Sequence, residues 1–240
     1  MRIILLLVSV LVLTSVSYGQ VSDVAIASTQ DYLSDIKKEL IKEWPKNRTI
    51  NLVFHGHSVP AGYFKTPLVN TFDSYPYQVL KLLKERYPFA VINVINTSIG
   101  GESSISGEKR FETEVLNHKP DILFIDYALN DRGAGLEVSR KAWEKMIERA
   151  QQEGIKIILL TPSPDQRVNL SEKDNELEKH ANQIKDLAIK YHIGLADSYA
   201  RFKQIKADCD CIPDYMSQVN HPNKKGHTII AEEIMKYFGE

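Results

Sequence analysis

Short apolar runs alternate along the chain with longer segments of helical periodicity. Most of the short runs are too continuously apolar for a sheet with one exposed face, so they predict parallel strands buried on both sides. Such alternation is typical of an α/β protein, and we predict a three-layer α/β/α sandwich. The predicted strands are 50–54, 90–95, 122–127, 155–160 and 193–196, and the predicted helices are 30–44, 75–87, 109–117, 136–153, 173–191 and 228–238.

The N-terminus has the pattern of a secretory signal peptide. A charged start leads into apolar residues 3–13, and small residues precede Gln20, where we expect cleavage. The apolar stretch is shorter than the roughly 20 residues that cross a bilayer, so we expect no membrane association after cleavage. The sequence therefore predicts a signal peptide over 1–19 and a single domain over 20–240, exported to the periplasm or secreted.

Composition narrows the class of ligand. The formal net charge is −1, with 43% hydrophobic and 25% charged residues, and no strongly basic stretch indicates a nucleic-acid partner. A small or neutral substrate fits better. Cys209 and Cys211 are separated by one residue, so a bridge would close a small ring, and their oxidation state stays open. Without histidines at ligand spacing they make a poor zinc site, and we expect no metal.

The ends of the predicted strands carry the candidate chemistry, because ligands of open α/β sheets bind outside the carboxyl ends of the strands. Small and polar residues follow the first three strands: His55-Gly56-His57-Ser58, Asn96-Thr97-Ser98-Ile99-Gly100-Gly101 and Ala128-Leu129-Asn130-Asp131.

Ser58 and His221 are the candidate nucleophile and base. Ser58 lies in a tight strand-to-helix turn, where a serine alone would more often be a helix N-cap. A free hydroxyl is a weak nucleophile and needs a base, for which a neutral imidazole is the usual choice. His221 precedes a proline, which favours an extended backbone, and we expect it to project from a loop before the last helix.

Gly101 and Asn130 are candidate donors to a developing oxyanion. Such donors contribute about 3 to 4 kcal/mol each to transition-state stabilisation. Glycine allows a backbone N–H to approach closely, and the asparagine amide is a donor that does not titrate. By themselves these residues would indicate a tight turn and an Asx-type cap.

In this order, Ser58, Gly101, Asn130 and His221 resemble the SGNH (GDSL-like) hydrolase family over nearly the whole mature chain. The resemblance implies a flavodoxin-like five-stranded sheet, ester hydrolysis through an acyl-enzyme and no cofactor. It also implies an oxyanion hole made by the Ser58 and Gly101 N–H groups and the Asn130 side chain.

Two positions depart from the family pattern. His57 stands where the family has an aspartate before the serine, which removes no catalytic atom. Gln218 stands three residues before His221, where the family places the aspartate that orients the base. Losing that carboxylate can cost about four orders of magnitude in rate. Either the Gln218 amide oxygen or the nearby carboxylate of Asp214 is a possible replacement.

The predicted function is hydrolysis of a small acyl ester, with an O-acetyl group on a carbohydrate as the favoured substrate by analogy with exported family members. A lipase or thioesterase for longer acyl chains is the alternative within enzymes. The alternative outside enzymes is a decayed scaffold that binds a glycan. An FMN-binding domain is disfavoured because bulky residues follow the first strand: His57, Val59 and Pro60.

Overall fold

A five-stranded parallel sheet forms the centre of the computed structural model, which describes residues 25–239. Its strand order is β2-β1-β3-β4-β5, the flavodoxin-like order, so the predicted fold class is confirmed. All five predicted strands are found, with ends shifted by two residues or fewer. The strands are β1 (Thr49–Gly56), β2 (Val91–Asn96), β3 (Ile122–Asp126), β4 (Lys156–Leu160) and β5 (Gly194–Ala196).

Eight α-helices lie within residues 25–239 and cover both faces of the sheet. They are α1 (Ser34–Leu40), α2 (Ser58–Ala61), α3 (Tyr75–Arg86), α4 (Ser104–Glu114), α5 (Leu136–Gln152), α6 (Glu176–Tyr191), α7 (Ser198–Cys209) and α8 (Lys224–Met235). None of these helices combines the length and the apolar character needed to cross a membrane. The predicted signal peptide, 1–19, lies outside the described residues.

Side chains of the central strands alternate between two separate apolar cores, as the two-residue period of a strand requires. Ile122 and Phe124 of β3 face the core formed with α1, α3, α7 and α8. Leu123 and Ile125 of the same strand face the core formed with α4 and α5. Helix α6 contributes to both cores. This double burial explains the continuously apolar strand sequences.

Two helices differ from the prediction at their ends. The helix predicted for 30–44 covers only Ser34–Leu40, since Leu33 provides no side-chain cap and Pro45 disfavours a helical backbone at the residue before it. The helix predicted for 109–117 begins earlier, at Ser104. Its first N–H donates to the Asp131 carboxylate, 2.8 Å away, so a residue distant in sequence sets this boundary.

The C-terminal third also contains elements that the periodicity did not predict. The sequence pattern does not predict helix α7. Its N-terminus is capped by the Asp197 carboxylate. The last helix begins at Lys224 rather than at 228 because Asn223 caps it. Ahead of it, strands β6 (Met216–Gln218) and β7 (His221–Pro222) form a small antiparallel ladder, so the expected loop at the candidate base is ordered by pairing.

Candidate active site

Ser58 is positioned by a tight turn between β1 and α2. A side chain at Gly56 would bring a Cβ within 2.4 Å of the Asp126 carbonyl oxygen, so only glycine permits this approach to β3. The His57 N–H donates to the same carbonyl at 3.2 Å. Ser58 is therefore the first residue of α2, at the carboxyl end of the sheet, and its side chain is largely buried.

His221 reaches Ser58 from the β6–β7 ladder. Its Nε2 lies 2.9 Å from the Ser58 Oγ, a hydrogen-bond distance suited to proton transfer. Burial lowers the pKa of His221 below its ordinary value of 6.5, although the hydrogen bond to the Phe64 carbonyl opposes this shift. The imidazole is consequently neutral near pH 7, the state that a general base requires.

The other ring nitrogen of His221 has two neighbours. Its Nδ1 lies 2.9 Å from the Phe64 carbonyl oxygen and 2.7 Å from the Gln218 Nε2. The Gln218 Oε1 accepts the Thr66 N–H at 3.0 Å, and its Nε2 lies 3.2 Å from the Thr66 hydroxyl. Gln218 thus lies beside the imidazole, with its amide oxygen directed at Thr66.

Asp214, the other candidate for orienting the base, does not contact His221. It lies exposed on the 3₁₀ turn Ile212–Tyr215, where its backbone carbonyl accepts the Asn223 side-chain N–H at 2.9 Å. The structure therefore corrects the suggestion that its carboxylate replaces the missing aspartate. No side-chain carboxylate within residues 25–239 is hydrogen-bonded to His221.

Gly101 and Asn130 line the same cavity as Ser58 and His221. Gly101 has φ of 80°, a conformation that favours glycine, and its N–H donates to no other group of the described chain. The Asn130 Nδ2 donates to the Glu102 carbonyl at 2.9 Å, which leaves its second N–H for another acceptor. The shared cavity measures about 360 Å³ and is lined by Ser58, Tyr63, Thr66, Gly100, Gly101, Asn130, Gln218, Asn220 and His221.

A buried ionic cluster anchors the loop that carries Gly101. Glu102, the residue after Gly101, forms an ion pair with Arg110. Arg110 also donates to the Thr97 carbonyl at 2.7 Å. The Tyr127 hydroxyl donates to the same carboxylate at 2.8 Å. Burial raises the pKa of Glu102, but the hydrogen bonds from Arg110 and Tyr127 outweigh it and the net shift is downward. Glu102 is therefore charged and holds the loop in place.

Asp131 connects the same loop to the protein interior. Its fully buried carboxylate accepts the Ser104 N–H at 2.8 Å and the Ser104 hydroxyl at 2.9 Å. The other oxygen accepts the Trp143 indole N–H at 2.7 Å. Asp131 directly follows Asn130, so these bonds fix the backbone that presents the amide.

A second polar pair lies behind the nucleophile. The His57 Nε2 is 3.3 Å from the Asp126 carboxylate, and both side chains are almost inaccessible to solvent. The His57 Nδ1 accepts the Val59 N–H at 3.2 Å, and the Tyr75 hydroxyl donates to Asp126 at 3.0 Å. His57 thus fills the position of the family aspartate with a structural partner of its own.

The structure brings Ser58, His221, Gly101, Asn130 and Gln218 together around one cavity. Sequence reasoning missed the supporting groups: Phe64, Thr66, Glu102, Arg110, Asp126 and Tyr127. One signal in the sequence does indicate the anchor of the loop that carries Gly101. Glu102 directly follows Gly101, and the oppositely charged Arg110 lies eight residues after Glu102. No group of three or more His, Cys, Asp or Glu residues in the described part of the chain is arranged to hold a metal ion.

Residues 54–229 match the GDSL-like lipase/acylhydrolase family. Among curated proteins, an uncharacterized lipoprotein of Bacillus subtilis (strain 168), YqeF, is 35% identical over 81 residues. That match covers 30% of this chain and 33% of the lipoprotein, so it spans about a third of that relative.

Several solved structures share the fold. The acetylxylan esterase Axe2 from Geobacillus stearothermophilus has a TM-score of 0.70 at 22% identity, over 83% of this chain and 96% of its own. A two-domain esterase active on acetylated mannans has a TM-score of 0.69 at 19% identity, over 90% of this chain and 54% of its own. A GDSL-like lipase described as putative, from Parabacteroides merdae ATCC 43184, has a TM-score of 0.68 at 16% identity, over 79% of this chain and 95% of its own.

Proposed function

The chain belongs to the GDSL-like lipase/acylhydrolase family, whose members are hydrolases of carboxylic esters, and from this premise we propose that it is a serine esterase for small acyl groups. The observation that carries the proposal is the 2.9 Å contact between the Ser58 Oγ and the His221 Nε2, at the edge of a cavity that also contains Gly101 and Asn130. A nucleophile, a base and two oxyanion donors therefore face one space.

In the proposed reaction, the Ser58 hydroxyl attacks the acyl carbonyl while His221 takes its proton. Collapse of the tetrahedral intermediate breaks the ester bond, and the proton on His221 passes to the leaving alcohol. Water then attacks the acyl-enzyme, with His221 again accepting a proton, and the carboxylic acid and free Ser58 are released. The N–H groups of Ser58 and Gly101 and the Asn130 amide hold the negative oxygen in both halves.

We propose an acetylated carbohydrate as the substrate. The Tyr63 ring packs against Gly100, where a Cβ would lie 3.1 Å from the ring, and both residues line the cavity that contains Ser58. Polar side chains line the remainder, including Thr66, Gln218 and Asn220, which suits a hydroxylated leaving group. Two proteins of the same fold act on acetylated xylan and acetylated mannan.

The two alternatives have less support. A long acyl chain needs an extended apolar channel, whereas this cavity is mixed in polarity and is bordered on one side by Tyr63. A decayed scaffold would have no need for a hydrogen-bonded serine and histidine beside an unpaired glycine N–H. Location outside the cytoplasm remains part of the proposal, and the Cys209–Cys211 disulfide is compatible with an oxidising compartment.

The test is hydrolysis of p-nitrophenyl acetate and p-nitrophenyl octanoate by the purified protein without residues 1–19. We expect acetate to be the better substrate and the Ser58→Ala and His221→Ala variants to lose at least about a thousandfold in kcat. Ser106→Ala and His118→Ala alter exposed residues of the same types and serve as controls. Equal turnover by wild type and Ser58→Ala would refute the esterase proposal. Acetate release from acetylated xylan and mannan then tests the carbohydrate substrate.

A further inference from the structure

The orientation of His221 is unusual because no carboxylate in the described part of the chain is hydrogen-bonded to it. Of the titratable groups that the structure describes, two other histidines, His57 and His227, interact electrostatically with this imidazole. Among residues 25–239, two groups lie within hydrogen-bond distance of its Nδ1: the Phe64 carbonyl oxygen at 2.9 Å and the Gln218 Nε2 at 2.7 Å. These two neighbours require opposite positions for the imidazole proton.

A carbonyl oxygen can only accept a hydrogen bond, so the Phe64 contact requires the proton on Nδ1. The Nε2 lone pair then faces the Ser58 hydroxyl, which is the tautomer of a general base. The Gln218 amide nitrogen can only donate, so donation to Nδ1 would leave the proton on Nε2 and prevent Ser58 from being deprotonated. Rotating the amide would set its nitrogen against the Thr66 N–H, which now donates to Oε1 at 3.0 Å.

We propose that the main-chain carbonyl of Phe64 orients the base and holds its proton on Nδ1, in place of the carboxylate usual at position 218. Gln218 instead secures the neighbouring backbone through Thr66. This inference rests on the proposed esterase function and assigns its positioning group. Phe64 acts through His221 and does not contact the reacting atoms.

The Phe64 backbone is held firmly enough for this task. Its N–H donates to the Leu68 carbonyl at 3.0 Å, which closes a short turn. Its ring is buried and stacks on His227, with centroids 5.1 Å apart and an interplanar angle of 12°. The His227 Nδ1 in turn accepts the Tyr75 N–H at 3.2 Å, so the stack is anchored to α3.

An amide-to-ester replacement tests the role of this carbonyl directly. Substituting Lys65 by its α-hydroxy acid turns the Phe64 carbonyl into an ester carbonyl, a weaker acceptor. The change costs no other backbone bond, since the Lys65 N–H donates to none of the described groups. We expect kcat on p-nitrophenyl acetate to fall about tenfold and the acidic limb of the pH profile to move to lower pH. Protein carrying ordinary lysine at position 65 is the matched control.

The ¹⁵N NMR spectrum of histidine-labelled protein at pH 8 provides a second readout that does not depend on turnover. We expect the proton of His221 on Nδ1 in both wild type and Gln218→Leu. A resting Nε2–H tautomer would overturn the proposal, as would an ester variant with unchanged kcat and pH profile. Failure of the esterase function itself appears separately, as activity that survives Ser58→Ala, while the tautomer of His221 is still measured.

Discussion

Replacing Gln218 by glutamate supplies the missing carboxylate with the smallest change in shape. The Gln218 Nε2 lies 2.7 Å from the His221 Nδ1, so a carboxylate oxygen of the same side-chain length reaches hydrogen-bond distance. The second oxygen keeps the 3.0 Å bond from the Thr66 N–H. The variant therefore replaces an opposed donor by an acceptor without disturbing the surrounding backbone.

The expected shift follows from the distance and the exposure. An opposite charge within hydrogen-bond range raises the pKa of an imidazole by about one to three units, and Gln218 is only half-buried, so we expect about one to two units. Each unit corresponds to about 1.4 kcal/mol in favour of the imidazolium. The same stabilisation acts when His221 takes the serine proton, so kcat above the new pKa should rise by about tenfold or more.

The assay is kcat/KM for p-nitrophenyl acetate between pH 4 and pH 9. Activity requires neutral His221, so it is present above the pKa of this group and lost as the pH falls through it. A raised pKa therefore moves the acidic limb to higher pH. Gln218→Met, which has similar length and no charge, should not raise it. An acidic limb of Gln218→Glu that stays in place or moves downward would refute the placement of residue 218 beside Nδ1.

Three further substitutions test the supporting groups. Arg110→Met should lower kcat by about ten- to a hundredfold, because Glu102 loses its ion pair and the loop that carries Gly101 loses its anchor. Tyr63→Ala should open the cavity wall and raise the ratio of butyrate to acetate hydrolysis about tenfold. His57→Asp should lower the free energy of unfolding by about 3 kcal/mol in urea titrations, since two buried carboxylates would then meet at Asp126.

Each of these predictions has its own contrary result. Arg140→Met removes a partly exposed ion pair on α5 and serves as the control for Arg110→Met. Equal losses of kcat in the two variants would show that the Glu102–Arg110 cluster does not support catalysis. An unchanged acyl preference in Tyr63→Ala would show that the ring does not limit chain length. Adding Asp126→Asn to His57→Asp should recover part of the lost stability. If it recovers none, repulsion between carboxylates is the wrong explanation.

Much of the architecture could be predicted because its causes are local. The central strands are buried on both faces, so a run such as 122–125 is apolar throughout and stands out from its polar surroundings. The rule that ligands bind at the carboxyl ends of parallel strands then pointed to Ser58, Gly101 and Asn130 from chain order alone. The structure places these three around one cavity.

Other features could not be predicted because their causes are distant or carry no mark in the sequence. Helix α4 begins at Ser104 because Asp131 accepts its N–H, and no periodicity reports a partner that far along the chain. A backbone carbonyl belongs to every residue, so nothing distinguished Phe64 as a neighbour of His221. The residue types close to His221 in the sequence instead indicate Gln218 and Asp214 as the groups that could orient it.

The buried carboxylate of Asp131 has a consequence for how the enzyme loses activity on heating. It links the segment after β3, the first turn of α4 and the Trp143 ring inside the core formed with α4 and α5, so we expect the loop that carries Gly101 to stay attached while that core is intact. Local opening should therefore be restricted to the exposed turn 65–69 on the other side of the cavity. Loss of the loop that carries Gly101 and unfolding of the protein interior should therefore be one cooperative event.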